Sequence, residues 1–413
     1  MRRKKRDLRT LDELREFLAN PQREWSEVNL LGLDLRAPAV DDALRLEDIG
    51  RGASFLGCRM APDLGLKLQA AGSLVIPGRD DLPFNPFRPD LYRAAELFAG
   101  YDPDVPSTYR DTPDARCYAA AMDAGTRRKR EDVSLDDAVF LRLHDLAIEA
   151  ALGEFLRGGA PAGATPGGRR RRVVGIMGGH DRERGDAPYL RVAVLAWRLA
   201  RGGFTIATGG GPGAMEAANL GAWFASRSED ELRDAIGLLG RVPRLRPTAP
   251  DSPEWNAGEW LKPAFEVARR FPRDASDART ESIGVPTWFY GHEPPNLFAS
   301  HIAKFFENSL REEGVLGIAT HGVIFAEGNA GTVQEIFQDA CQNYYRTHGA
   351  PAPMVLMGAD FWNPRSDASP EPFAKPVYPL LRRLAAEKRF DHLVHVSDDL
   401  DEIVRVISGK DPS

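Results

Sequence analysis

The sequence has few residues that could bind a metal or form disulfides. Its three cysteines, Cys58, Cys117 and Cys341, are odd in number and far apart. It contains no C-x-x-C motif and no Cys/His cluster, and none of its eight histidines forms an H-E-x-x-H motif. These absences argue against a zinc site or a disulfide framework. We therefore expect no bound metal and a reducing, cytoplasmic location.

Features of membrane, secreted and nucleic-acid-binding proteins are also missing. No apolar run is long enough to span a bilayer. The N-terminal stretch MRRKKRDLRTLDEL is basic but lacks the apolar core of a secretion signal, so its simplest interpretation is a solvated tail. The net charge of −6 does not favour a polyanionic partner. We predict a chain that binds neither membranes nor nucleic acid polymers.

What the sequence does contain is two regions of different character. Its 413 residues are too many for one average core and indicate two domains. A segment rich in Gly, Pro and Ala predicts a linker over 158–170. Before it, residues 1–157 form an N-terminal region of uncertain mixed fold, for which a regulatory role is one hypothesis. Helices are predicted there over 8–18 and 134–156, and short strand or β-coil pieces over 28–35 and 54–58, too few to establish a repeat.

From about Arg171 to the C-terminus, short apolar strands alternate with helices. This pattern predicts an α/β fold, a Rossmann-like doubly wound parallel sheet with helices on both faces, that binds a ligand at the carboxyl ends of its strands. The predicted strands are 173–177, 204–208, one starting at 283, 322–326, 353–357 and 393–396. The predicted helices are 189–200, 213–224, 301–313, 332–345, 377–388 and 400–407. Residues 227–279 interrupt the alternation and are interpreted as an insertion, either a lid or an inert surface excursion, with helices over 229–239 and 262–270.

Two glycine-rich turns, Thr208–Gly213 and Gly328–Thr332, each connect a strand to a helix. Glycine lets a ligand approach the backbone, and a helix N-terminus favours an anion, so both turns predict phosphate binding. A tight turn that simply requires glycine is the alternative, and it applies equally to Gly178 and Gly179 after the first strand. The candidate ligand-binding residues are Gly178, Gly179, Gly209, Gly210, Gly211, Gly213, Gly328, Gly331 and Thr332. No G-x-G-x-x-G motif occurs, so a dinucleotide fits poorly.

Glu335 follows Thr332 by three residues, and this spacing has two interpretations. In a capping box, Thr332 would cap the helix and Glu335 would bond back to the cap. Alternatively, the Thr332 hydroxyl could donate to a phosphate while Glu335 serves the site's chemistry. The local sequence leaves both interpretations open.

The stretch Glu327-Gly-Asn-Ala-Gly-Thr-Val-Gln-Glu335 resembles the PGGxGTxxE motif of the LOG, or "lysine decarboxylase-like", family, which hydrolyses nucleoside 5′-monophosphates. Three further segments are similar to the larger bacterial members, the nucleotide 5′-monophosphate nucleosidases: Gly178-Gly-His180, Thr208-Gly-Gly-Gly-Pro-Gly-Ala-Met-Glu-Ala217 and Glu293-Pro-Pro-Asn296. The resemblance covers roughly Arg171 to Ile407. It implies a nucleoside monophosphate or related phosphorylated nucleotide as ligand, no cofactor, and a homodimer or homotetramer.

The resemblance also implies the catalytic residues. Glu335 matches the motif glutamate, and Arg311 matches the arginine of the preceding helix. Glu216 and Asn296 are implied as further ligand-binding residues. The chain departs from the family where Glu327 replaces the motif proline, where Asn329 replaces a glycine, and where Glu312 replaces the lysine that usually follows the arginine.

These observations favour an enzyme that cleaves nucleoside monophosphates to free base and ribose 5-phosphate. Because asparagine tolerates a positive φ, Asn329 is expected to preserve its turn. The altered turn also leaves open a non-hydrolysing nucleotide-binding sensor or carrier. An NAD(P)-linked oxidoreductase lacks the glycine motif that it would need.

Overall fold

The computed structural model describes residues 5–36, 52–123, 128–129, 133–158, 170–248, 255–289, 294–364 and 373–409. Nearly all of the predicted linker at 158–170, and Glu293 of the Glu293–Asn296 segment, lie outside these ranges. The chain forms two compact units. The first comprises Met1–Leu91 and Val133–Arg170, and the second comprises Tyr92–Asp132 and Arg171–Ser413. Residues 92–132, assigned by sequence to the N-terminal region, thus belong to the second unit.

The first unit contains a four-stranded parallel sheet whose strands lie in chain order. Its strands are β1 (Arg6–Leu8), β2 (Val28–Leu31), β3 (Ser54–Cys58) and β4 (Leu74–Pro77). With helices numbered along the whole chain, its helices are α1 (Leu11–Ala19), α2 (Pro62–Ala70) and α5 (Leu135–Leu156).

The strand register explains how this unit forms a core. Leu8 pairs with Leu30, Leu30 with Phe55, and Phe55 with Val75, so apolar side chains stack across all four strands. Leu8, Leu30 and Phe55 are fully buried. The two β pieces predicted over 28–35 and 54–58 are therefore neighbouring strands of one parallel sheet, and the region of uncertain fold is itself α/β.

The second unit is built on a seven-stranded parallel sheet. Its strands are β7 (Val173–Met177), β8 (Thr205–Thr208), β9 (Ser282–Gly284), β10 (His301–Ile302), β11 (Val323–Phe325), β12 (Met354–Leu356) and β13 (Val394–Val396). A separate antiparallel pair is formed by β5 (Met122–Asp123) and β6 (Arg128–Lys129).

The second unit contains eleven helices within the described ranges, most of which connect successive strands of this sheet. They are α3 (Ala94–Leu97), α4 (Pro113–Ala121), α6 (Ala187–Arg201), α7 (Ala214–Trp223), α8 (Glu229–Leu239), α9 (Ala257–Arg270), α10 (Asn308–Ile318), α11 (Ala330–Tyr345), α12 (Ala359–Trp362), α13 (Tyr378–Glu387) and α14 (Leu400–Ser408). No helix within the described ranges is long and apolar enough to cross a membrane.

The strand order of this sheet is β10-β9-β8-β7-β11-β12-β13. The chain starts at β7, runs outward through β8 to β10, returns to the other side of β7, and continues through β11 to β13. This confirms the predicted α/β, Rossmann-like doubly wound sheet. The order reverses between β7 and β11, and ligands of such sheets bind outside the carboxyl ends of the strands at this switch point. Both strands are buried throughout, so only the loops that follow them can reach a ligand.

The predicted helix over 301–313 is wrong in its first half. His301 and Ile302 pair with Ile283 and Gly284 as the edge strand β10, and α10 begins only at Asn308. The segment is short and apolar, and periodicity cannot distinguish a buried strand from a helix over so few residues.

The segment between β8 and β9 contributes two helices to the core of this unit. Helix α8 begins with a capping box between Ser228 and Glu231 and buries Leu232 and Leu239. Helix α9 buries Trp260 and Leu261 in the same cluster as the helices beside the sheet. Helices α8 and α9 of the insertion are therefore part of the core, whereas residues 241–248 and 272–279 lie mostly at the surface.

Candidate active site

Three strand-to-helix loops meet at the switch point of the seven-stranded sheet. The backbone N–H of Gly179, after β7, donates to the Glu327 carbonyl, after β11, at 3.0 Å. The Gly179 carbonyl accepts from the N–H of Ala214, the first residue of α7, at 3.1 Å. Gly178 is also tightly packed: a Cβ atom added there would lie only 2.9 Å from the Cβ of Ala214. The sequence-predicted glycines after β7, β8 and β11 are thus brought together.

The first glycine-rich turn, Gly209–Gly213, is buried along its whole length. Gly210 and Gly213 have φ values of +76° and +69°, which favour glycine. A Cβ atom at Gly213 would collide with the Gly179 carbonyl oxygen, and one at Gly210 would lie 2.6 Å from Cδ of Pro286. These glycines are therefore required by close packing, which was the alternative to ligand contact.

Asn296 fixes the backbone of this first turn through hydrogen bonds. It is fully buried, and its backbone N–H donates to the Gly210 carbonyl at 2.8 Å. Its side-chain amide donates to the Gly211 carbonyl at 3.1 Å and to Oδ1 of Asn219 at 2.9 Å. The amide that sequence reasoning assigned to ligand binding is engaged in fixing the backbone of the turn.

Glu216 lies in the core, where its carboxylate is engaged by other side chains. It is fully buried, and Arg184 donates to it through Nε at 2.7 Å and through Nη2 at 2.5 Å. The Tyr189 hydroxyl adds a third bond at 3.1 Å. A bidentate arginine satisfies a buried carboxylate well. The structure therefore does not bring the Glu216 carboxylate, implied as a ligand contact, to the glycine turns.

The second turn, Gly328–Thr332, is exposed to solvent at its centre, whereas the first is buried. Gly328 is buried, but Asn329, Ala330 and Gly331 are exposed. Asn329 is the N-cap of α11, and its side chain makes no capping bond among the described residues. The first amide N–H groups of α11 therefore face solvent without a side-chain cap, an arrangement that favours an anion.

Two sequence-based interpretations of this turn are wrong. Asn329 has φ −98°, so its turn does not use the positive φ that asparagine tolerates. Thr332 lies inside the first turn of α11 and is buried, so it is not the helix cap. Its Oγ1 occupies the space that a side chain at Gly328 would need, which explains the glycine there.

Charged side chains surround the second turn. The Glu327 carboxylate is 3.3 Å from Nη1 of Arg182, and its side chain packs over Gly358, beyond the end of β12. Asp181 accepts a bond from the Asn329 amide at 3.2 Å. The sequence analysis did not identify Asp181 or Arg182 as candidates. Within the described ranges, no group of three or more His, Cys, Asp or Glu side chains is arranged to hold a metal.

Arg311 and Glu335 connect the two turns. Arg311 Nη1 lies 3.5 Å from Oε1 of Glu335, and both side chains are only 12% exposed. Arg311 also donates from Nε to the Val285 carbonyl at 3.0 Å. Its guanidinium lies against Gly209, where any side chain would collide with Nη2. The first turn thus supports the arginine, and the helix that begins at the second turn carries the glutamate.

The position of Glu335 decides between its two interpretations. It lies in the second turn of α11, beyond Thr332, so it does not form the capping box. Burial raises the pKa of Glu335 to about 7; the nearby Arg311 lowers it, and the negative Glu312 raises it. A carboxyl group that exchanges protons near neutral pH is typical of functional sites.

No protein-family model matches the chain, and no curated protein matches its sequence. Solved structures similar to the chain include the Moco carrier protein of Chlamydomonas reinhardtii, with 16% identity, a TM-score of 0.31, and coverage of 58% of this chain and 97% of that one. Another is the molybdenum cofactor binding protein of Rippkaea orientalis, with 13% identity, a TM-score of 0.32, and coverage of 59% and 98%. The fold of this chain is assigned from its own strand order.

Proposed function

We propose that this chain hydrolyses the N-glycosidic bond of nucleoside 5′-monophosphates, releasing free base and ribose 5-phosphate. The observation that carries the proposal is the pairing of Arg311 with Glu335 at the switch point, beside the open N-terminus of α11. An anion site next to a buried carboxyl group is what this reaction needs, because the substrate has a phosphate at one end of its ribose and the scissile bond at the other.

Each group then has a chemical role. The uncapped amides around Gly331 would hold the 5′-phosphate at the helix N-terminus. Arg311, held by the Val285 carbonyl, would orient the phosphate or the ribose hydroxyls through its remaining donors. As the bond to the base breaks, the sugar develops oxocarbenium character, and the Glu335 carboxylate would stabilise that charge and direct water to it.

The test is release of free base from AMP, GMP, CMP and UMP by the purified full-length chain. We expect Glu335→Gln to reduce kcat by at least about 100-fold, since it removes the charge but keeps the shape of the side chain. Glu313→Gln is the matched control, because Glu313 is an exposed carboxylate on the helix that carries Arg311. No release from any of the four nucleotides, or equal activity of Glu335→Gln and wild type, would contradict the proposal.

A nucleotide-binding carrier or sensor without hydrolysis is the second candidate. It is favoured by the acidic groups beside the second turn, where Asp181 already bonds to Asn329 and Glu327 lies one residue before Gly328. Glu327 stands where the motif that the sequence resembles has a proline, so this turn departs from that of the hydrolysing family. Tight nucleotide binding by calorimetry, with no base released over hours, would select this function over hydrolysis.

A further inference from the structure

We propose that Lys375 binds the phosphate group of the ligand at the second turn, Gly328–Thr332, and supplies the full positive charge of that subsite. The inference rests on the proposed function for the identity of the ligand, a phosphate monoester. Its evidence is separate, since it comes from how Lys375 is held beside Asn329 and from the ion pairs of the neighbouring cations.

Lys375 is brought to the second turn by the chain that follows β12. Its backbone N–H donates to the Phe361 carbonyl, in α12, at 2.8 Å. Its ammonium group lies 4.7 Å from the centroid of the Phe361 ring, which is buried, and donates to the Phe373 carbonyl at 3.1 Å. These contacts hold the half-buried lysine side chain against the turn instead of leaving it extended in solvent.

The side-chain amide of Asn329 connects Lys375 to the start of α11. Its Oδ1 accepts from the Lys375 ammonium at 3.4 Å, and its Nδ2 donates to Asp181 at 3.2 Å. Asn329 is the N-cap of α11, so the ammonium lies beside the helix terminus that is proposed to hold the phosphate. Because 3.4 Å is long for a hydrogen bond from an ammonium group, a phosphate oxygen can replace the amide oxygen at little cost.

The charge of Lys375 is not neutralised by the protein, in contrast to those of two arginines near the turns. Arg311 lies 3.5 Å from Glu335, and Arg182 lies 3.3 Å from Glu327. Within the described ranges, no carboxylate forms an ion pair with Lys375. The guanidinium groups are thus already engaged, whereas the ammonium group can pair with an anion that arrives with the ligand.

A phosphate monoester matches this arrangement in charge. It carries about two negative charges near neutral pH, whereas a helix N-terminus alone offers the equivalent of about half a positive charge. Lys375 adds one full charge with up to three donors. The pairing implies that the site distinguishes a nucleoside monophosphate from the nucleoside, which has no group for Lys375 to bind.

The experiment is calorimetric titration of the full chain with ribose 5-phosphate, which contains the phosphate but no base. We expect Lys375→Gln to weaken binding by about 10- to 100-fold, the usual effect of losing a charge-assisted hydrogen bond. Lys375→Arg keeps the charge and should retain most of the affinity. Lys388→Gln is the matched control, because Lys388 also lies over an aromatic ring, that of Tyr344, but near the other end of α11.

Kinetics separate binding from a general structural effect. Where base is released, Lys375→Gln should raise the KM for AMP by a similar factor and change kcat little, because the phosphate contact is the same before and during bond cleavage. Equal affinity of Lys375→Gln and wild type for ribose 5-phosphate would overturn the inference, as would an equal loss in Lys388→Gln or no binding to wild type. Binding that depends on Lys375, without base release from any nucleotide, would refute only the proposed hydrolysis.

Discussion

The two glycine-rich turns have similar sequences but opposite surroundings. The first, Gly209–Gly213, is buried throughout and is fixed by Asn296. The second exposes Asn329 to Gly331 at the uncapped start of α11. Glycine therefore serves different purposes in them. In the first turn it permits close packing, and in the second it leaves the backbone accessible to solvent.

The difference assigns separate tasks to the two turns. The first is a rigid support, because Arg311 rests on Gly209 and would be displaced by any side chain there. The second offers the amides that can meet an anion, and its helix carries Glu335. The motif with the more regular glycine pattern is thus the scaffold, and the altered motif is the part that a ligand can reach.

The largest difference in stability should be between two glycine-to-alanine variants, one in each turn. Gly213→Ala places a Cβ atom against the Gly179 carbonyl at a φ of +69°, and we expect a loss of more than about 3 kcal/mol of stability. Gly331→Ala is its counterpart in the second turn, where an added Cβ atom meets nothing within 4 Å. Because alanine favours helix, it should gain about 0.5–1 kcal/mol. Urea unfolding measures both, and equal losses in the two variants would remove the distinction between support and open turn.

A smaller effect should follow from removing one asparagine side chain beside each turn. Asn296→Ala leaves the buried Gly211 carbonyl without its side-chain donor and should cost about 2–3 kcal/mol. Asn329→Ala removes exposed bonds to Asp181 and Lys375 and should change stability by less than about 0.5 kcal/mol. Thermal unfolding of the two variants at one pH provides the comparison. A cost for Asn329→Ala as large as that for Asn296→Ala would show that the second turn is also structurally fixed.

The sequence predicted the parts of this arrangement that depend on local pattern. Alternating apolar strands and helices were sufficient to predict the doubly wound sheet, and the glycine turns were correctly placed at strand ends. Arg311 and Glu335, implied by the motif resemblance, do lie together. Their pairing follows from the switch point, which brings α10 and α11 to the same end of β7 and β11.

The sequence could not show which polar groups face a ligand. Glu216 has the same local setting as a ligand contact, yet long-range partners, Arg184 and Tyr189, draw its carboxylate into the core. Glu312 accepts a bond from Gln334 on α11, a contact that its own helix sequence does not show. In both cases the deciding contact comes from another element, about which periodicity and spacing carry no information.

The smallest effect concerns Glu335, which pairs with the arginine that the first turn supports, and it depends on pH. Because the pKa of Glu335 is raised from 4.5 to about 7 in the folded chain, its contribution to stability is fully present below pH 4.5 and is lost as pH rises through 7. Glu335→Gln has no charge to bury, so its stability should not fall in this way. The stability of the variant minus that of wild type should therefore be about 1–3 kcal/mol larger at pH 8 than at pH 4. Urea titrations at the two pH values measure this, with Glu313→Gln as the exposed control. A pH-independent difference would mean that the pKa of Glu335 is the same in the folded and unfolded chain, so that its burial beside Arg311 has no effect on its protonation.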